Sequence, residues 1–282
     1  MICPDYLIIG AMKCGTSTLA AQLGAQPGVF MTQPKEPAFF ADDAVFSQGQ
    51  SWYDKLFASA DRDDVKGEAS TQYTKLPTFP RTVERVRSAA IQAGKAPKLI
   101  YMLRDPVDRL ISHYIHEWSQ GVIRDPLDRA LETHPELISY SCYGRQLTPW
   151  VEAFGSDIMV ANMSELKDDP QGLLDRAGIH LGKTDLVWKH DLGRMNVSAE
   201  RVRRFPLHGL VFANPLATWL RRNLIPQTVR DRIKAARQMQ ERPILSSASR
   251  AKLVETFRTD RSQFLALFPE KQNMALIYPE PK

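Results

Sequence analysis

The chain has 282 residues, 43% of them apolar and 24% charged, which is enough apolar side chain for one large core and excludes a disordered chain. Its 37 Lys and Arg against 32 Asp and Glu leave a formal charge of +5, an excess that suits anionic small ligands; no basic run is dense enough for a nucleic-acid arm, and Arg201, Arg203 and Arg204 read as a solvated face. Three scattered cysteines, Cys3, Cys14 and Cys142, exclude a disulfide framework, Tyr6 to Met12 is too short for a signal-peptide core, and Asn214 and Pro215 break the apolar stretch from Leu210 to Leu220, so a soluble cytoplasmic protein without a membrane span is expected.

Tyr6-Leu7-Ile8-Ile9 predicts a buried strand, and Thr16 to Leu23 predicts a helix with a hydroxyl at its head. A second strand is expected at Leu99 to Leu103, followed by a helix from Val107 to Trp118 with Leu110, Ile111, Tyr114 and Ile115 on one face. Asp157 to Ala161 reads as a third strand, between helices near Tyr143 to Phe154 and Pro170 to Ala177. Strands alternating with helices imply an α/β fold with a central parallel sheet and flanking helices. We expect one domain, its core spanning about residues 1–195. Beyond it the pattern turns basic and Pro-punctuated, with helices expected from Pro226 to Glu241 and from Ser247 to Leu267 as a helical C-terminal extension over about 196–282.

Between the first strand and its helix lies Gly10-x-x-x-x-Gly15-Thr16, which places backbone N–H groups and a helix N-terminus where they can wrap an anion. This is P-loop-like, with one difference. In the nucleoside-triphosphate loop a lysine directly precedes the Ser or Thr that holds magnesium, whereas here the only lysine, Lys13, lies inside the loop. After the second strong strand, Arg104-Asp105-Pro106-x-x-Arg109-x-x-Ser112-x-Tyr114 offers a guanidinium at the strand end and a hydroxyl on the following helix. Two strand-end anion sites on one sheet describe a ligand with phosphates at both ends. Alternatively, Arg104 pairs with Asp105 or Asp108, and Arg109 forms a structural ion pair.

At these residues the chain resembles the sulfotransferases that use 3′-phosphoadenosine 5′-phosphosulfate (PAPS). Lys13-x-Gly15-Thr16-x-x-Leu19 looks like the family's 5′-phosphosulfate loop, and Arg104-Asp-Pro-x-x-Arg109-x-x-Ser112-x-Tyr114 looks like its 3′-phosphate motif. Lys35-Glu36-Pro37-x-Phe39-Phe40 resembles the segment that bears the catalytic glutamate in the heparan-sulfate branch, and Gly67-Glu68-Ala69-Ser70-x-x-Tyr73 resembles the following strand and loop. Tyr143-x-x-Gln146-Leu147-x-x-Trp150, Asn196-x-Ser198 and the final helix also fit. The chain departs from several heparan-type members at Ala69, where they carry a lysine, and shows no clear counterpart of their cysteine-bounded C-terminal loop.

The resemblance implies a PAPS-dependent sulfotransferase that needs no metal. Glu36 would take the acceptor's proton, and Lys13 would neutralise the leaving phosphate. The amides of Gly15, Thr16 and Ser17 and the Thr16 hydroxyl would cradle that phosphate, with Cys14 among the cofactor-binding residues of the loop, and Arg104 and Ser112 would hold the 3′-phosphate. Without the resemblance, Glu36 is a surface carboxylate paired with Lys35, Tyr73 and Tyr143 are core aromatics, and His113 and His116 are packed or exposed helix residues. The expected acceptor is a hydroxyl, or an amine, of a carbohydrate or small metabolite, its pocket built by the Ala41–Gln50 and Ile123–Ser139 segments. The competing readings are a P-loop kinase or nucleotide hydrolase working through Lys13 and Asp105, and a non-catalytic nucleotide-binding module.

Overall fold

The computed structural model describes residues 3–192, 239 and 241–269. One parallel sheet contains β1 (Tyr6–Gly10), β2 (Val29–Met31), β3 (Val65–Ala69), β4 (Lys98–Leu103) and β5 (Ile158–Asn162), in the spatial order β2-β3-β1-β4-β5. Every residue of β1 and β5 is buried, as is β4 from Leu99 onward, because helices cover both faces of a parallel sheet. The chain leaves β1 toward β3 on one side and returns to β4 on the other. In open α/β sheets such a reversal opens a ligand crevice at the carboxyl ends of the strands.

Among the described residues the helices are α1 (Thr16–Gly24), α2 (Asp43–Phe46), α3 (Gln50–Lys55), α4 (Thr82–Ala93), α5 (Pro106–Gln120), α6 (Leu127–Thr133), α7 (Glu136–Ser139), α8 (Tyr143–Phe154), α9 (Glu165–Asp168), α10 (Pro170–Leu181) and α11 (Ser247–Leu267), with 3-10 turns at Thr71–Thr74 and His190–Leu192. None of them is long and apolar enough to cross a membrane. The two segments expected as acceptor loops are partly helical: α2 is capped by Asp42, whose Oδ1 accepts from Ala44 and Val45, and α6 and α7 occupy the second segment. A second core of Val107, Leu110, Ile111, Tyr114, Leu253 and Phe257 joins α5 to α11, so the apolar face expected on α5 is its packing face.

The C-terminal helix matters to the site because it fixes α8. Asp260 on α11 accepts hydrogen bonds from the Gly144 and Arg145 amides at 2.8 and 2.9 Å, satisfying the first turn of α8. The backbones meet closely there, since a Cβ on Gly144 would stand 2.6 Å from the Asp260 carbonyl oxygen. The expected helix from Pro226 to Glu241 falls outside the described residues except at Met239 and Glu241, which are not helical. Glu241 stands just upstream of the Arg242-Pro243 step, where the residue before proline is driven from helical geometry. The Asn196-x-Ser198 segment and the Arg201 cluster also lie outside the described residues.

Candidate functional site

The site is built at the carboxyl ends of β3, β1 and β4. At the end of β1, Gly10 takes φ 155°, and a Cβ there would fall 2.1 Å from the Thr74 hydroxyl, so only glycine lets the chain leave the strand at this point. Gly15, at φ 86°, precedes α1 as its N-cap with no side chain satisfying the helix, which leaves the first-turn amides oriented toward the crevice. Lys13 is held in the left-handed region at φ 70°, a strained conformation for a residue with a Cβ. Thr16 is 4% exposed and Ser17 half-buried at the head of α1.

At the end of β4, Arg104 reaches back over the loop, its Nη1 lying 3.4 Å from the Lys13 carbonyl oxygen. The expected pairing with Asp108 is present but loose, at 3.4 Å, and Asp108 is shared with Arg242. Asp105 does not pair with Arg104; its Oδ1 accepts from the Asp108 amide at 2.7 Å and caps α5. Ser112 is half-buried on α5. Beneath both motifs sits Tyr143 of α8, fully buried, whose hydroxyl donates to the Arg104 carbonyl at 3.0 Å and lies 3.7 Å from the Cys14 sulfur. It is thus the core aromatic expected from the sequence and also the strut between the two anion motifs. Burial pushes the Cys14 thiol up to about 11, so it stays protonated and packs as an apolar group.

On the other side of β1, the loop after β2 docks on the end of β3. The Glu36 amide donates to the Ala69 carbonyl at 3.0 Å, and Glu36 and Ala38 take φ 61° and φ 56°. The Glu36 carboxylate is one-third exposed and accepts from Lys35 Nζ at 2.6 Å and from the Thr71 hydroxyl at 3.3 Å. Burial works against its ionisation, but the Lys35 ammonium, the charge of Lys75 and a hydrogen bond from Gln72 outweigh it and hold Glu36 below the ordinary carboxylate range. The pairing with Lys35 expected of a surface carboxylate is thus present, on the loop that docks on the end of β3.

Arg109 differs from its expectation. It is fully buried and structural, but no carboxylate pairs with it: Nε donates to the Ser141 hydroxyl at 2.6 Å and Nη2 to the Leu137 carbonyl at 2.9 Å. Its Nη2 also lies 3.2 Å from His113 Nδ1, which fixes that nitrogen as an acceptor and directs Nε2–H toward Glu117 at 3.4 Å. Burial pushes the His113 imidazole down to about 4, so it is neutral and packed, stacked on Tyr140.

Lys75, Gln72 and Thr71 escaped the sequence reading. Lys75 follows the 3-10 turn with its ammonium 5.9 Å from the centre of the Tyr140 ring, and burial lowers its proton affinity against the pull of Glu36 and Glu117. A separate hollow of about 340 Å³, lined by Cys3, Asp5, Phe57, Lys66 and Lys95 among others, lies at the opposite ends of the strands. Its Asp5 and Lys95 already pair at 2.6 Å, and in this architecture chemistry belongs at the carboxyl ends.

The family model described as "Sulfotransferase domain" matches residues 3–191. The chain is 30% identical over 195 residues to heparan sulfate glucosamine 3-O-sulfotransferase 3B1 of Mus musculus, covering 65% of this chain and 47% of that protein. It is 26% identical over 208 residues to the bifunctional heparan sulfate N-deacetylase/N-sulfotransferase 1 of Mus musculus, covering 66% of this chain and 23% of that protein. It is also 32% identical over 135 residues to the membrane-associated sulfotransferase kil1 of Dictyostelium discoideum, covering 46% and 26%. The chain thus spans about half or less of the length of these curated relatives. A crystal structure of a sulfotransferase from Alicyclobacillus acidocaldarius superposes with a TM-score of 0.66 over 95% of this chain and 96% of that one, at 21% identity, which establishes a shared fold.

Proposed function

Because this chain belongs to the sulfotransferase-domain family, we propose that it moves the sulfuryl group of PAPS by in-line displacement to a hydroxyl, or an amine, of a carbohydrate or small-metabolite acceptor. The observation that carries the reading is the order of the strand ends. The base-bearing loop docks on β3, the anion loop follows β1, and the guanidinium follows β4, with Arg104 touching the backbone of Lys13 at 3.4 Å. The donor set fits a nucleotide phosphorylated at both ends: an uncapped helix head with Lys13 for one end, Arg104 and Ser112 for the other. When bound, PAPS supplies an activated sulfuryl group on a bisphosphorylated leaving nucleotide.

The residues divide the work. Lys13 and the amides of Gly15, Thr16 and Ser17 hold the phosphate from which sulfur departs, and their fixed dipoles meet the charge that builds there; Cys14, expected among the cofactor-binding residues, instead donates its amide to the Ala11 carbonyl at 3.2 Å and closes the turn. Arg104 and Ser112 anchor the far phosphate and set the line of attack. Glu36, ionised beside Lys35, accepts the proton of the attacking acceptor, a contribution worth roughly 10²- to 10⁴-fold. Asp105 caps α5 through Oδ1 and is directly preceded by the cationic Arg104, which argues against a kinase that would use it to hold magnesium. A carbohydrate acceptor is supported by the heparan-sulfate relatives.

A thermal-shift comparison tests the reading. Adenosine 3′,5′-bisphosphate at about a hundredfold over its dissociation constant should stabilise the protein by roughly 2.7 kcal/mol, and magnesium-ATP should do much less. Stabilisation by magnesium-ATP with no response to the bisphosphate would favour the kinase.

A further inference from the structure

We propose that Glu68, acting through the hydroxyls of Ser70 and Tyr73, is the positioning residue that fixes the loop carrying Glu36. The inference rests on the reading of Glu36 as the base and adds a part that this reading does not use. Glu68 is the penultimate residue of β3 and is fully buried. A lone carboxylate there would be costly, and it is met by three hydroxyls. Ser70 Oγ and Tyr73 Oη both donate to Oε1 at 2.6 Å, and Tyr53 Oη donates to Oε2 at 2.5 Å.

Two of these hydroxyls face the base-bearing loop as well. Ser70 Oγ accepts from the Ala38 amide at 3.0 Å, and Tyr73 Oη accepts from the Phe40 amide at 3.4 Å. Each hydroxyl has one proton and donates it in the hydrogen bond to Glu68, so each presents a lone pair to the loop. Glu68 thereby sets the direction of both hydrogen bonds. Together with the Glu36 amide on the Ala69 carbonyl, alternate amides of residues 36, 38 and 40 are tied down. That spacing spans the two left-handed residues, Glu36 and Ala38, whose strain the surrounding contacts must hold in place. Tyr53 differs, because its hydroxyl reaches Glu68 alone while its ring stacks on Phe39 at 4.4 Å between centroids.

The difference between Tyr53 and its two companions makes the relay testable. Ser70→Ala and Tyr73→Phe each remove a loop tie, whereas Tyr53→Phe removes a bond to Glu68 and keeps the stacked ring. Hydrogen–deuterium exchange reads the geometry without any reaction: Ser70→Ala should speed exchange at Ala38, and Tyr73→Phe at Phe40, by about tenfold or more, with little change in Tyr53→Phe. With PAPS and a turned-over acceptor, the two loop variants should lose kcat by about tenfold, with KM and bisphosphate affinity within about twofold of the parent. Tyr53→Phe should lose thermal stability while holding kcat. Glu68→Gln, whose carbonyl oxygen can stand in for Oε1, should recover most of the kcat that Glu68→Ala loses.

Unchanged exchange at Ala38 and Phe40 would overturn the relay whatever the reaction proves to be. Faster exchange with parental kcat, or a kcat loss in all three variants that simply follows their melting temperatures, would overturn the positioning role. If Glu36→Gln itself turns over like the parent, the reading of Glu36 fails and the proposal falls with it; the exchange data still report whether the clamp exists.

Discussion

The guanidinium of Arg104 lies 3.4 Å from the carbonyl oxygen of Lys13, so the groups proposed to bind anions at the ends of β1 and β4 stand side by side. The contact also leaves Arg104 only loosely tied to Asp108, at 3.4 Å. A doubly phosphorylated nucleotide spanning the two strand ends would engage both groups.

Arg104→Ala should therefore weaken adenosine 3′,5′-bisphosphate by roughly 10- to 100-fold, the value of a charge-assisted fork, and leave adenosine 5′-monophosphate almost untouched. Ser112→Ala should act in the same direction by about 1 kcal/mol, as a neutral hydroxyl does. Titration calorimetry with both nucleotides checks this. Equal losses for the two ligands in a destabilised protein would make Arg104 a structural partner of Asp108.

The pairing of Glu36 with Lys35 sets a pH dependence. Glu36 must be ionised to accept a proton, and its proton affinity is held below the ordinary carboxylate range. The acid limb of kcat/KM should accordingly lie below that range, with activity present above it and lost as pH falls through it. Lys35→Met removes the nearest cation, and the limb should move to higher pH. A limb that stays in place in Lys35→Met would assign it to another group.

His113 predicts a second pH effect, on stability. Its folded pKa of about 4 lies below the 6.5 of an unperturbed imidazole, so the unfolded chain binds the proton more readily. Above pH 6.5 both states are neutral and the residue contributes no pH dependence. Between pH 6.5 and 4 it should cost up to roughly 3 kcal/mol. His113→Asn, whose Oδ1 can replace Nδ1 beside Arg109, should flatten the fall of melting temperature over that window. An unchanged slope would place the loss in other groups.

The parts legible in the sequence are those with local causes. Unbroken apolar runs mark β1, β4 and β5, and the patterns over Tyr143–Phe154 and Ser247–Leu267 coincide with α8 and α11. β2 has only three residues, and β3 carries Lys66 and Glu68 within five, so neither shows a periodicity, and only the family resemblance marks β3. Around the site, Gly10, Lys13, Gly15 and Arg104 announce themselves by spacing. Lys75, Gln72 and Tyr53 do not, because their relation to Glu36 and Glu68 exists only once the β2 and β3 loops are folded together. Glutamate is seldom fully buried, and although Ser70 and Tyr73 stand two and five residues from Glu68, only the folded loops turn their hydroxyls, and that of Tyr53, onto its carboxylate. Arg109 shows the same limit: besides His113 one turn on, its partners come from Leu137 and Ser141, about thirty residues away.

The most direct measurement is transfer of radiolabelled sulfate from PAPS to a panel of saccharide and small-metabolite hydroxyls and amines, run with the parent, Glu36→Gln and Lys13→Ala. The account predicts label in an acceptor with the parent. Glu36→Gln should lose about two orders of magnitude or more of turnover at nearly parental bisphosphate affinity, and Lys13→Ala should lose both turnover and affinity. Parental turnover in Glu36→Gln, or no sulfate transfer from a protein that passes phosphate from magnesium-ATP, would contradict it.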